Sequence, residues 1–297
     1  MKAGIYTDLS IEDYHQKVDA ISASTLKKIG KSELSYIHYK NSKNDERKSA
    51  FEYGNAFELA IMDEANGTND FNKRVAIANT DQWTAEALAE NPNLKNPAAS
   101  KVYKDLKAKW EAANADKYQL NLRGSESLET IKASIHQLKQ DETIWKLLCG
   151  TSYQISAIWE DEETGLMLKT RPDVAKINKN VILDIKTCRD ASPHGFARQA
   201  AQLDYPIQAV MQIDGMIKSG AMDKVDRYYY LAVEKEAPFN FALYHLTPDD
   251  IKSVMVEYRK LIRKATEINI ENPKSYGRDA DNEFGILNLE LPKYYLL

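Results

Sequence analysis

Two acids and one lysine interrupt segments of the chain that are otherwise apolar. Asp173 follows Pro172 at the end of one β-rich run, and Asp184 and Lys186 lie inside the next run, VILDIKTC. Two nearby carboxylates repel each other, and one takes up a proton unless a cation lies between them. Hard cations such as Mg²⁺ bind carboxylate oxygens together with water and substrate phosphate. A lysine beside them could orient or deprotonate a water molecule, or neutralise charge on a phosphate.

The turn sequence INKN predicts that the two runs form a β-hairpin. If residues 165–172 pair with residues 180–187, Asp173 lies at the end of the hairpin, close to Asp184. Side chains alternate across a strand, so Asp184 and Lys186 share one face. The opposite face is apolar and would join the core: it carries Val181, Leu183 and Ile185. D-x-K on a strand is frequent by chance, and on this pattern alone an edge strand with a solvated face explains the charges.

The order P-D, about ten residues, an apolar pair and then D-x-K is the signature of the PD-(D/E)xK nuclease superfamily. Its motif also includes an acid or a histidine on an upstream helix. Glu58 is the candidate here, because it stands alone in the apolar segment GNAFELAIM, where a buried carboxylate is costly without a partner. The alternative is that Glu58 points to solvent. We therefore predict a metal site formed by Glu58, Asp173, Asp184 and the carbonyl of Ile185.

Composition sets limits on the class of protein. The chain has 297 residues, 43% apolar and 28% charged, which is typical of soluble globular proteins. It has no apolar run of membrane-spanning length and no apolar signal core near Met1, so we expect a cytoplasmic protein without membrane contact. Two cysteines exclude a four-cysteine zinc or iron–sulfur site. The net charge of −4 means that contact with nucleic acid must be local or assisted by bound cations.

Periodicity and turn signals predict a mixed fold. Helices are expected at 21–40, 51–67, 79–148 with a break at 91–100, 193–218 and 247–268, and strands within 152–188 and 225–246. Helices around a central mixed β-sheet indicate an α/β (α+β) fold. We expect one domain over 1–297, with a helical subdomain or insertion at about 70–150.

The chain resembles the RecE/exonuclease VIII-type exonucleases of phages and prophages. In this chain, YHQKVDAISASTLKKI resembles the family's opening helix. GNAFELAIMDE resembles its G-x-A-x-H helix, and YPIQAVMQIDGM resembles its Q-x-x-x-Y helix. The W-x-D-x-x-T-G…R-P-D…D-x-K-T core resembles SAIWEDEETGLMLKTRPDVAKINKNVILDIKT, and LNLELPKYY has the family's L-P-aromatic ending. The resemblance covers nearly the whole chain, although residues 65–150 match only in helical character.

The resemblance implies a restriction-endonuclease-like core and a Mg²⁺-dependent exodeoxyribonuclease, with Mn²⁺ as a substitute. Such enzymes degrade the 5′-ended strand from double-stranded DNA ends and leave a 3′ overhang for a single-strand annealing recombinase. They form ring-like homo-oligomers and are encoded by phages or prophages in bacterial cells. The expected catalytic residues are Asp173, Asp184, Lys186, Glu58 and Gln208. The expected DNA contacts are Lys169, Arg171, Ser24 and Gln212, with Lys176 and Lys179 as further candidates for a basic channel.

Three positions depart from the family pattern. Glu58 replaces the family histidine, Gln212 replaces the tyrosine of Q-x-x-x-Y, and Gln154 stands where an acid is frequent. Two alternatives therefore stay open. One is a structure-specific or restriction-type endonuclease on the same fold, and the other is a catalytically inactive module that binds DNA or protein.

Overall fold

The computed structural model describes residues 1–42, 49–150, 152–153 and 155–276, together with Leu287 and Leu289. Gln154 and most of the LNLELPKYY segment lie outside the described residues. The helices are α1 (Ile11–Gln16), α2 (Ala23–Lys31), α3 (Glu33–Asn41), α4 (Ser49–Asn66), α5 (Asp70–Arg74), α6 (Thr80–Glu90), α7 (Lys101–Ala113), α8 (Leu128–Leu138), α9 (Glu142–Leu148), α10 (Pro193–Gln202), α11 (Tyr205–Lys218) and α12 (Pro248–Glu267). The strands are β1 (Gly4–Tyr6), β2 (Val75–Ala78), β3 (Tyr118–Asn121), β4 (Ser152–Tyr153), β5 (Ser156–Glu160), β6 (Met167–Thr170), β7 (Val174–Lys176), β8 (Val181–Cys188), β9 (Arg227–Glu234) and β10 (Phe241–His245).

The central sheet has five strands in the order β10-β9-β8-β7-β4. β8 and β9 are parallel, and the other neighbouring pairs are antiparallel. The parallel pair is joined through α10 and α11, because a parallel connection needs a long crossover. The predicted mixed sheet with flanking helices is therefore confirmed.

Both faces of β8 are covered. Leu183 and Ile185 pack in one core cluster with Phe57 and Ile61 of α4. Ile182 packs on the opposite face in a second cluster with Ala209 of α11. β8 is an inner strand, so the explanation of its charges as the wet face of an edge strand is wrong.

The predicted pairing of residues 165–172 with 180–187 is also wrong. β6 pairs with β5 in a separate sheet of three strands, β1-β5-β6. Of the residues before the INKN turn, those of β7 pair with β8, with Val174 opposite Leu183, so the predicted hairpin forms over a shorter stretch. The break falls at Pro172, which has no N–H to donate to a continuing ladder.

Helix α11 lies unusually close to this smaller sheet. A Cβ atom at Gly215 would lie 2.5 Å from the Trp159 ring and 2.7 Å from Cγ2 of Thr170. Only a glycine allows the helix backbone to approach β5 and β6 so closely. This contact fixes α11 against the core and thereby positions the residues on its inner face.

The region 70–150 is less purely helical than expected. β2 and β3 form a parallel pair, with Val75 opposite Tyr118. α8 and α9 contribute Leu138 and Leu148 to the same core as α4, whereas α6 and α7 pack on each other through Trp83 and Trp110. The second half of this region is thus part of the main core. The assignment of the whole region at about 70–150 as a subdomain or insertion stays a prediction.

Other helix predictions are confirmed with small changes. The segment 21–40 forms two helices, α2 and α3, because Ser32 ends the first and caps the second. Ser22 is the N-cap of α2. Thr247 caps α12. Among the described residues, no helix has the length and apolar character needed to cross a membrane.

Candidate active site

Asp173 and Asp184 lie side by side where the two sheets separate. Because Val174 is paired with Leu183, the next position brings Asp173 beside Asp184 at the start of β7. Oδ2 of Asp173 accepts a hydrogen bond of 2.7 Å from the backbone N–H of Ile185. The Pro172 break turns the chain so that this carboxylate faces the neighbouring strand.

The carboxylate of Asp184 is fully buried and held by three side chains. Its Oδ1 accepts hydrogen bonds from Nε2 of Gln208 (3.1 Å) and Nε2 of Gln212 (3.3 Å). Nζ of Lys186 lies 2.5 Å from Oδ2. Gln208 and Gln212 are one turn apart on α11, so the helix presents both amides to the same carboxylate. The structure therefore brings the two acids, Lys186 and both glutamines together.

Tyr228 on β9 completes this network. The residue is fully buried, and its hydroxyl donates to Oε1 of Gln212 over 2.7 Å. A run of three tyrosines on a strand gave no signal for this contact, because it depends on how α11 crosses β9. Tyr230, two residues along β9, is also buried.

Burial and neighbouring charges shift the pKa of Asp173 and that of Lys186. Burial, then the charges of Glu58 and Asp184, raise the pKa of Asp173 well above its ordinary value. Burial lowers the pKa of Lys186, but the carboxylates of Asp184 and Asp173 more than offset this, and its pKa lies above the ordinary value. Lys186 is therefore an ammonium at neutral pH, which favours charge neutralisation over proton abstraction as its role.

The fit of a divalent cation rests on the two aspartates. Among the described residues, no group of three or more His, Cys, Asp or Glu side chains is placed to hold a metal ion. Mg²⁺ commonly uses one or two carboxylates, with water and phosphate completing its shell. The crowding of charge that raises the pKa of Asp173 is what a cation between two carboxylates relieves. Asp173 and Asp184 thus suit Mg²⁺ or Mn²⁺, and Glu58 and the Ile185 carbonyl stay predicted ligands.

Beside the carboxylates lies a cavity of about 200 Å³. Glu58 on α4 is partly buried and lines it together with Asp173 and Gln208. The rest of the wall carries several side chains that could contact a phosphate: His15, Ser24, Arg74 and Arg171. Arg171 is partly fixed, because its Nη1 donates to the carbonyl of Leu9 (2.7 Å) and to Oγ of Ser156 (2.9 Å).

Two of the predicted basic residues have structural contacts instead. Lys169 is 6% exposed, and its ammonium donates to the carbonyls of Tyr14 and Val18, each over 2.7 Å. Lys176 donates to the carbonyls of Lys146 and Cys149 at the end of α9. The ammonium groups of Lys169 and Lys176 hold loops and helix ends, so these two lysines are not proposed as DNA contacts. Lys179 is exposed.

A family model described as a PDDEXK-like domain of unknown function (DUF3799) matches residues 22–277. The chain belongs to this PDDEXK-like family. The match includes the candidate-site residues from Ser24 to Tyr228, whereas His15 of the cavity wall precedes it. Membership places the chain in the PD-(D/E)xK nuclease superfamily, as the P-D and D-x-K residues predicted.

Solved structures agree with the fold of this PDDEXK-like chain. A presumptive exonuclease from Eubacterium rectale has 14% sequence identity over 97% of this chain and 98% of that chain, with a TM-score of 0.56. A second structure, that of SSO0001, has 14% identity over 74% of this chain and 86% of that chain, but its TM-score of 0.30 carries no argument. No curated protein matches the chain. At this identity the first structure supports the fold alone.

Proposed function

We propose that this protein is a Mg²⁺-dependent exodeoxyribonuclease that degrades double-stranded DNA from its ends. The observation that carries the proposal is the arrangement of Asp173, Asp184 and Lys186 around one buried site, with Asp184 fixed by Gln208 and Gln212. An inactive module would have no reason to keep two repelling carboxylates, one of them fully buried, beside a lysine. This argument favours an enzyme over a catalytically inactive binding module.

The residues have distinct roles in the proposed hydrolysis. Asp173 and Asp184 would hold the cation, and Gln208 and Gln212 keep the Asp184 carboxylate in one orientation. When bound, the cation supplies Lewis acidity and a nucleophilic water near neutral pH. The Lys186 ammonium neutralises negative charge on the phosphate as that charge develops.

The preference for an exonuclease over an endonuclease comes from the resemblance to RecE-type exonucleases. In such an enzyme, the end of a DNA strand would lie at the cavity beside Asp173. Ser24 and Arg171 in its wall are suited to contact the strand's phosphates.

The finer assignments rest on the resemblance to RecE-type exonucleases. We propose that the 5′-ended strand is degraded, that the 3′ overhang serves a single-strand annealing recombinase, and that the chain acts as a ring-like homo-oligomer in a bacterial cytoplasm. A phage or prophage origin accords with that role. The negative net charge is compatible with a ring whose outside is acidic and whose channel is basic.

Linear and covalently closed circular duplexes, incubated with the protein and Mg²⁺, test the proposal. The linear duplex carries a label at either its 5′ or its 3′ ends. We expect loss of the linear substrate only, with early release of the 5′ label. Cleavage of the closed circle would instead identify a restriction-type or structure-specific endonuclease. Binding without cleavage of either substrate would identify an inactive module.

A further inference from the structure

Lys27 lies one helical turn beyond the cavity. Ser24 and Gln208 line the cavity from α2 and α11. Lys27 follows Ser24 at i+3, and Tyr205 precedes Gln208 by three residues, so each pair shares a helix face. The Lys27 ammonium lies 5.6 Å from the centroid of the Tyr205 ring. The two helices that form the cavity wall therefore bring Lys27 and Tyr205 together directly beside it.

The Tyr205 ring links Lys27 to the catalytic lysine. Nζ of Lys186 lies 4.9 Å from the same ring centroid. The ring is itself held, because its hydroxyl accepts a hydrogen bond of 3.1 Å from Nε2 of Gln199. An aromatic ring attracts cations within about 6 Å of its centroid. Tyr205 thus holds two ammonium groups close to the site at which a phosphate would be cleaved.

The charge of Lys27 is not matched by a carboxylate. Its ammonium donates to the carbonyl of Leu203 over 2.9 Å at the end of α10. Within the described part of the chain, the Lys27 ammonium forms no ion pair. The charges of Asp184 and Asp204 raise its pKa without direct contact. Burial and the charge of Lys186 lower the pKa of Lys27 to about 8. A partly buried cation without a paired anion, beside a site for phosphodiester hydrolysis, is suited to a phosphate oxygen.

We propose that Lys27 binds a backbone phosphate of the DNA strand being cleaved, adjacent to the phosphate held at Asp173 and Asp184. The inference rests on the proposed function, because it assigns a substrate contact to the same site. An ammonium has three donors, and the Leu203 carbonyl uses one of them. The remaining donors can reach a non-bridging oxygen while Tyr205 holds the side chain in place.

Lys28 provides a matched control on the same helix. Its ammonium also lies near a tyrosine ring, 5.8 Å from the centroid of Tyr39, but that ring belongs to α3 and not to the cavity wall. Lys27→Met and Lys28→Met each remove one positive charge and keep the apolar part of the side chain. Binding of a labelled linear duplex is measured for both at several salt concentrations, with Ca²⁺ in place of Mg²⁺.

A phosphate contact has a specific signature in the salt dependence. Neutralising one fewer phosphate should weaken binding several-fold and reduce the slope of log K against log salt by about 1. We expect this for Lys27→Met, and we expect Lys28→Met to match the wild type. A Lys27→Met variant with the wild-type slope and affinity would overturn the proposal.

Two further variants separate charge from folding. Lys27→Gln keeps a donor that can reach the Leu203 carbonyl but has no charge, and Lys27→Arg keeps the charge. If Lys27→Met is unfolded, the other two variants decide. A wild-type salt slope in Lys27→Arg with a reduced slope in Lys27→Gln supports the proposal, whereas equal slopes in the two variants contradict it. A wild-type protein that does not bind or cleave duplex DNA would contradict the proposed function itself. A wild type that does both, with unchanged binding in the Lys27 variants, would contradict only the Lys27 assignment.

Discussion

The hydroxyl of Tyr228 donates a 2.7 Å hydrogen bond to Oε1 of Gln212 and thereby determines which end of that amide faces Asp184. With Oε1 engaged, Nε2 points to Oδ1 of Asp184, 3.3 Å away. All three side chains are buried, so no bulk water replaces a lost partner. The position at which RecE-type sequences have a tyrosine is thus occupied here by a glutamine whose orientation a tyrosine from β9 controls.

We expect Tyr228→Phe to weaken Mn²⁺ binding by roughly 10-fold, a typical effect of losing a group that orients a metal ligand. The change leaves the ring in place but removes the donor to Gln212, whose amide can then rotate away from Asp184. Calorimetric titration of Mn²⁺ measures the effect without requiring DNA cleavage.

Tyr230→Phe is the matched control for this experiment. Tyr230 lies two residues along β9 and is also buried, but within the described structure its hydroxyl has no hydrogen-bond partner. We expect its Mn²⁺ affinity to equal that of the wild type. Equal affinities in the two phenylalanine variants would show that the Tyr228 hydroxyl does not orient Asp184.

Lys186→Ala should reduce cleavage by about 10²–10³-fold, as expected when one charge-stabilising group is lost from a transition state. Binding to DNA ends should stay nearly intact, because the group acts mainly in the transition state. Single-turnover cleavage and equilibrium binding of one labelled duplex measure the two effects. Full activity in this variant would mean that the D-x-K pattern on β8 is coincidental.

The pKa of Lys27, about 8, predicts a pH dependence of DNA binding. The charged ammonium is the form that binds phosphate, and phosphate binding raises its pKa. The affinity for DNA is therefore highest below pH ~8 and falls as the pH rises above that value. Besides burial, the charge of Lys186 on β8 lowers the pKa of Lys27, and the charges of Asp184 on β8 and Asp204 before α11 raise it. Binding curves from pH ~7 to ~9 should fall more steeply for the wild type than for Lys27→Met. Parallel curves would exclude Lys27 as the titrating group.

Gly215→Ala should lower the free energy of unfolding by about 1–3 kcal/mol, because the added Cβ overpacks a filled core. The methyl group would lie 2.5 Å from the Trp159 ring. Gly54→Ala on α4 is the control, since its nearest non-local atom would lie at an ordinary 3.6 Å. Urea unfolding of both variants checks the difference. Equal stability would show that α11 can shift without cost.

The placement of Asp184 and Lys186 on one strand face could be predicted from sequence because it depends on local order. P-D and D-x-K are short patterns, and strand alternation alone places Asp184 and Lys186 on one face. Gln208 and Gln212 are four residues apart and therefore share one helix face, but their spacing does not show that this face meets Asp184. Their contact depends on how closely Gly215 lets α11 approach the sheet.

The missed features depend on contacts between distant segments. Residues 165–172 were assigned to the wrong partner strand because a run of β-forming residues does not show where Pro172 transfers the chain between sheets. β2 and β3 were missed because each is only a short strand inside a helical region and is stabilised by the other. Lys27 and Tyr228 gave no signal, since a lysine on a helix and a tyrosine on a strand are ordinary residues.

The most direct test of the account is the position of bound metal in crystals soaked with Mn²⁺. We predict an anomalous peak that contacts carboxylate oxygens of both Asp173 and Asp184 at about 2.0–2.4 Å, and its loss in crystals of Asp184→Asn. A peak elsewhere, with both aspartates uncoordinated in a protein that cleaves DNA, would contradict the proposed two-aspartate metal site.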